Sequence, residues 1–144
     1  MAIDKSGKWW VGSAAADIEE YLKAFSSNGY PIDQFRLSQC VCGGDVFWLE
    51  ADRDGGVARR KCASCKASHF ICDSEQFWHE SDPVAWYCPV CKSKQTNVGL
   101  GFVTYPDSPN DIKWIYLGIR CARCGLLGCF ADWKVAEVNV RHLL

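Results

Sequence analysis

The sequence carries no surplus of charge in either direction: 16 lysines and arginines stand against 17 acids over 144 residues, a formal net charge of −1. Proteins that ride on nucleic-acid backbone usually carry a basic excess, so this balance leaves room for a local patch at most. No run approaches the roughly 18 apolar residues of a membrane-crossing helix. The start, Met1-Ala-Ile-Asp-Lys5, has no basic stretch leading into an apolar one. No span and no secretion signal are therefore expected, and the expected compartment is the cytoplasm.

Histidine is scarce. His69, His79 and His142 are scattered, and none is spaced as a ligand pair. His-Glu-x-x-His, Gly-x-Ser-x-Gly and phosphate-cradling glycine loops are missing. His79-Glu80 lacks the His-x-Glu spacing of zinc deaminases, and no proline stands before Cys88 as those enzymes require. No catalytic residue is assigned, and neither a small-molecule substrate nor a membrane partner is expected.

Cysteine and tryptophan, by contrast, are plentiful. Ten cysteines in a reducing compartment point to metal rather than disulfides. Eight form close pairs: Cys40/Cys42, Cys62/Cys65, Cys88/Cys91 and Cys121/Cys124. A Cys-x2-Cys turn delivers two sulfurs to one point, and a β-hairpin brings two such turns together. Tetrahedral zinc takes four thiolates. Pairing each turn with the next across its hairpin gives one site from Cys40, Cys42, Cys62 and Cys65. The other uses Cys88, Cys91, Cys121 and Cys124. Two structural Zn2+ ions are the expected cofactors. In the first pair a single spacer separates the cysteines, and Gly43-Gly44 supply the backbone freedom to compensate. The rival, in which the first and third pairs share a metal, conflicts with a repeat that aligns whole units.

That repeat is explicit. Lys61-Cys-Ala-Ser-Cys65 matches Arg120-Cys-Ala-Arg-Cys124, and in each copy seven residues separate the last cysteine from an aspartate, Asp73 or Asp132. The expected strands are 46–49, 57–61 and 69–72 in the first copy, and 98–105, 112–119 and 126–131 in the second. Residues 106–111 read as a longer loop. Before the repeat, Ser13 reads as an N-cap. Ile18, Tyr21, Leu22 and Phe25 make one helical stripe, ended by Asn28-Gly29 and Pro31. The organisation is thus a helical segment (1–38), a first unit (39–79), a connector (80–86) and a second unit with a tail (87–144). The fold class is mainly β, with two three-stranded antiparallel sheets and an N-terminal helix.

Both units resemble zinc ribbons, the turn–hairpin–turn class found in transcription factors, ribosomal proteins and many small bacterial proteins. The resemblance covers most of residues 39–132, and the whole chain resembles uncharacterised small bacterial proteins with paired ribbons. It implies zinc-stapled sheets. It implies no single function, because the class serves many.

The remaining features sort into function classes. Arg59, Arg60, Lys61, Lys66, Lys92, Lys94, Arg120 and Arg123 crowd the cysteine turns. They either contact nucleic acid or offset the −2 charge of four thiolates on one Zn2+, and compensation is the favoured explanation. Asp52, Asp54, Asp107 and Asp111 sit where ordinary turn chemistry places aspartate. Cys72 and Cys129 read as small buried hydrophobes, and Asp73 and Asp132 as braces at the end of the third strand. Aromatic richness without an active site favours a non-catalytic module, an adaptor or regulator that binds another protein. The alternatives are a nucleic-acid-binding ribbon of transcription or translation machinery, and a redox role. The Cys-x-Cys…Cys-x2-Cys run resembles the zinc switch of a redox-regulated heat-shock chaperone family. The second unit is similar in spacing to rubredoxin, which would place iron there.

Overall fold

The computed structural model describes residues 3–144. Helix α1 (Asp17–Phe25) precedes strand β1 (Gln34–Leu37). The first unit supplies β2 (Phe47–Asp52), β3 (Val57–Cys62) and β4 (Ser68–Phe70), then a short helix α2 (Ser74–Phe77) running into a 3-10 turn. The connector contains β5 (Val84–Ala85). The second unit supplies β6 (Thr96–Tyr105), β7 (Ser108–Cys121) and β8 (Leu127–Lys134). The protein is mainly β, as its alternating apolar runs and turn residues require.

Each unit has its three antiparallel strands, but they belong to one eight-stranded sheet with the path β4-β3-β2-β6-β7-β8, to which β5 adds on β2 and β1 on β6. A single rung, Phe47 opposite Thr96, joins the two units. Further along the same edge of β6, β1 takes over, with Phe35 opposite Gly101. Strand alternation then sorts the side chains onto two faces. Phe47, Leu49, Val98, Leu100, Phe102, Ile115, Leu117 and Ile119 enter the main core, together with Ile71, Trp86 and Trp133. The first hairpin folds over the second unit to close this core. Gly56 lies against Trp133, and Arg53 Nε donates to the Phe130 carbonyl at 2.6 Å.

On the opposite face, Ile18 and Leu22 of α1 are fully buried with Tyr116 and Leu127. Glycines make this close approach possible. A Cβ on Gly118 would stand 2.5 Å from Ile18 Cγ2 and 2.9 Å from Leu22 Cδ1. Tyr21 is half-buried and Phe25 is exposed, so the helical stripe is buried along only part of its width.

Two local expectations are corrected. Ser13 does not cap α1. The Asp17 carboxylate instead accepts the backbone N–H groups of Ser13 and Ala14 at 2.9 and 3.1 Å, so the acid closes the turn from inside the helix. Residues 106–111 are not a long loop either. Only Pro106 and Asp107 turn, and β7 already starts at Ser108. Register shifts at Thr104 and Tyr105 absorb the irregularity, as bulges do at hairpin ends.

Chain segments outside the strands lie against both outermost strands. At the β8 side, the Leu127 N–H donates to the Trp10 carbonyl and the Gly12 N–H to the Gly125 carbonyl, each at 2.8 Å. At the β4 side, the Leu143 carbonyl receives the Cys72 N–H at 2.8 Å and sits 2.8 Å from His69 Nε2.

Candidate metal centres

The four cysteine turns share one local design. In three of them the first cysteine's N–H bonds the carbonyl five residues on, and its carbonyl receives the N–H four residues on. These are Cys62 with Ala67 and Lys66, Cys88 with Ser93 and Lys92, and Cys121 with Leu126 and Gly125, at 2.8–3.0 Å. Cys40 closes the same loop one residue shorter, onto Gly44 and Gly43 at 2.8 Å each. Each loop needs a left-handed residue at its end. Gly43 has φ +93°, Lys66 +69°, Lys92 +67° and Gly125 +83°. Gly43 thus takes the unusual backbone angle that the sequence suggested, whereas Gly44 serves by its lack of a side chain, since a Cβ there would stand 2.9 Å from Cys62 Sγ.

The loops bring the eight sulfurs into two groups, each with all its sulfur atoms within 4.8 Å of one another: Cys40/Cys42/Cys62/Cys65 and Cys88/Cys91/Cys121/Cys124. The interleaved pairing is therefore excluded. Across the first group Cys40–Cys65 and Cys42–Cys62 are 3.5 and 3.7 Å apart, and across the second Cys88–Cys124 and Cys91–Cys121 are 3.6 and 3.5 Å. A disulfide needs about 2.05 Å. A tetrahedral ion with sulfur bonds of about 2.3 Å separates its ligands by about 3.8 Å. The geometry fits two four-thiolate metal centres of the paired zinc-ribbon kind.

Backbone dipoles prepare them. The N–H groups of Cys65 and Ser64 face the Cys62 sulfur and pull its pKa down to about 6 against the effect of burial. In the second group, chiefly the Ser93 N–H draws Cys91 down to about 7. In each cluster, then, backbone N–H groups draw one thiol down toward neutral pH.

The basic residues around these turns are not equivalent. Arg60 is buried, with its guanidinium 5.1 Å from the Phe47 ring centroid. Arg59 is half-buried, pairs with Glu50 and stacks over Trp78. Arg120 is held inward, with Nε on the Gly12 carbonyl at 2.9 Å and Nη1 on Asn97 Oδ1 at 3.0 Å. Lys66 and Lys92 reach back to their own turns, to the carbonyls of Ala63 and Pro89. Lys61, Lys94 and Arg123 are exposed. The acidic hairpin tip is turn chemistry. Asp52 accepts the N–H groups of Asp82, Gly55 and Asp54, which holds its carboxyl below the usual range and fastens the connector to the tip.

The two remaining cysteines differ from one another. Cys72 is buried in the core. Cys129 is only half-buried and forms part of the wall of a groove of about 400 Å³ beside the second metal centre. Trp9, Tyr21, Phe25, Tyr87, Leu126 and Phe130 line that groove. Sequence reading missed it, because its walls come from the segment before α1, α1 itself, the first hairpin, the start of the second unit, β7 and β8. The one available signal was the surplus of aromatics.

Comparison with known protein families, curated proteins and solved structures finds no match to the chain. Among the described residues, no helix is long and apolar enough to cross a membrane.

Proposed function

We propose that the chain is a non-catalytic protein-interaction module whose two ribbons are stapled by structural Zn2+ in the cytoplasm. Four thiolates in a tetrahedron suit zinc, and a reducing compartment keeps them available. Protein ligands fill all four positions, so no position is left for substrate. Ions held in this way serve folding.

The aromatic groove carries the interaction reading. Trp9, Phe25 and Tyr87 expose 38%, 48% and 57% of their surface around it. Exposed aromatics gathered in one concavity mark contact sites more often than chance exposure does. Aromatics are also the side chains on which interface energy concentrates.

Placing a photo-crosslinking residue at Phe25, and in a second sample at exposed Tyr105, tests the proposal in cells. A defined protein captured from position 25 and not from 105, and lost on Trp9→Ala, supports it. Equal capture from both positions, or none, overturns it.

A further inference from the structure

We propose that the outer face of the first ribbon holds a second site, which binds single-stranded nucleic acid with one base on Trp48 and phosphates on Lys61 and Lys94. This site is separate from the aromatic groove and does not rest on the adaptor reading.

Alternation along β2 sends Phe47, Leu49 and Ala51 inward, so Trp48 faces out. Lys61 is its cross-strand partner on β3. The Lys61 ammonium lies 5.8 Å from the Trp48 ring centroid, and that of Lys66 lies 4.6 Å from it. Lys94 stands across a groove of about 410 Å³ that Trp48, Leu49, Glu50, Ala85 and Trp86 also line. The rung between Phe47 and Thr96 sets this geometry, because it brings the second unit's first turn beside β2.

Charge in the groove is one-sided. Its carboxylate, Glu50, is taken by Arg59, whose Nε lies 3.0 Å from Oε1. Among the described residues, the ion pairs are Lys5–Glu20, Lys23–Glu19 and Arg59–Glu50, so none engages Lys61, Lys66 or Lys94. The ammoniums of Lys61 and Lys66 turn toward the Trp48 indole, that of Lys66 while also donating to the Ala63 carbonyl. An indole that already holds cations on its surface can exchange them for a nucleobase, which frees the ammoniums for the flanking phosphates. Stacking of this kind needs an unpaired base, because duplex bases hide their faces. Several lysines around one ring suit a run of phosphates better than one isolated anion. With a chain net charge of −1, the attraction is local and strongly screened by salt.

The test is fluorescence anisotropy of a labelled oligothymidylate with the metal-loaded full chain, over a series of salt concentrations. Saturable binding at low salt is expected. Trp48→Leu should weaken it about 5- to 150-fold, the worth of one stacked base, while Trp48→Phe retains most of it. Lys61→Ala with Lys94→Ala should flatten the log–log salt slope by about 1.4. Lys23→Ala with Lys134→Ala removes the same charge elsewhere and should leave the slope unchanged. Metal content of two ions per chain confirms that each variant is folded. The proposal is overturned by no binding to the folded chain, by duplex or thymidine monophosphate binding as tightly, or by equal effects of the two lysine pairs.

Discussion

Asp73 takes the indole N–H of Trp133 at 3.2 Å and so ties the end of the first unit to the last strand of the second. Its other oxygen receives the Ala136 N–H at 2.8 Å. The repeat counterpart, Asp132, takes the indole N–H of Trp114 at 3.1 Å inside its own unit. The same residue at the same place in the repeat is thus a joint between units in one copy and a local brace in the other.

This asymmetry sets the first expectation. Asp73→Ala leaves a buried indole N–H and a backbone N–H without partners, at a cost of about 1–3 kcal/mol. Asp132→Ala removes one bond at a half-buried site and should cost about 0.5–1.5 kcal/mol. Urea unfolding of the metal-loaded variants measures both. A larger loss for Asp132→Ala would contradict the assigned roles.

Metal removal should unfold the ribbons. A structural zinc supplies an apparent 10–16 kcal/mol or so of folding energy, more than a small sheet holds in reserve. Circular dichroism during titration with a strong chelator should show the strand signal collapse, and elemental analysis should give two zinc ions per untreated chain. Cys42→Ser and Cys91→Ser should each lower that number to one. A native spectrum after complete metal removal would refute the staple.

The two cysteines outside the clusters should be slow to react. Burial, then the charge of Asp73, pushes the Cys72 thiol up to about 12. Burial, then Asp132, does the same for Cys129, also to about 12. The thiolate is the reactive form, so both are almost wholly protonated at neutral pH. Mass spectrometry after iodoacetamide treatment should find Cys72 and Cys129 unmodified in the metal-loaded protein and modified after chelation. Rapid labelling of either in the loaded protein would revive a redox role.

Acid should weaken the fold through His69. Burial is the main cause that lowers its pKa below 6.5, and the Arg60 charge adds to it. The folded state therefore resists protonation. The stability tied to neutral His69 is complete above pH 6.5, shrinks as pH falls toward the lowered folded value, and changes no further below it. His69→Gln removes this dependence. Melting curves of wild type and variant should converge as pH drops from 7.5 to 5.5. A constant gap would rule this out.

The helix floor gives the last expectation. Gly118→Ala pushes a methyl group into Ile18 and Leu22, and overpacking of this kind costs about 1–3 kcal/mol. Adding Leu22→Ala should cost less in the Gly118→Ala background than in wild type, measured as a double-mutant cycle.

The metal centres were legible because their geometry is local. A short loop with a left-handed residue at its end sets where its two sulfurs go, and the adjoining hairpin sets the partner loop. The rest depended on contacts between distant segments. The single Phe47–Thr96 rung that makes two sheets into one leaves no trace in either unit. β1 and β5, four and two residues long, are strands only because β6 and β2 offer free edges. Residues 106–111 looked like a loop from their prolines and aspartates, yet pairing across the hairpin outweighed that propensity. Asp73 was read as a brace for its own strand, and only the curl of the first hairpin over β8 reveals its partner.

The segments lying against β8 and β4 also bear on how copies of this protein tolerate crowding. An open sheet ends in two rows of unpaired N–H and C=O groups, each a template for a neighbouring molecule. Here Trp10–Gly12 stop one end and Leu143 stops the other. A chain trimmed of residues 3–12 would keep both metal centres but present a bare rail beside Leu126 and Leu127, and because Leu143 still stops the other edge, two copies would pair rail to rail, following concentration rather than unfolding.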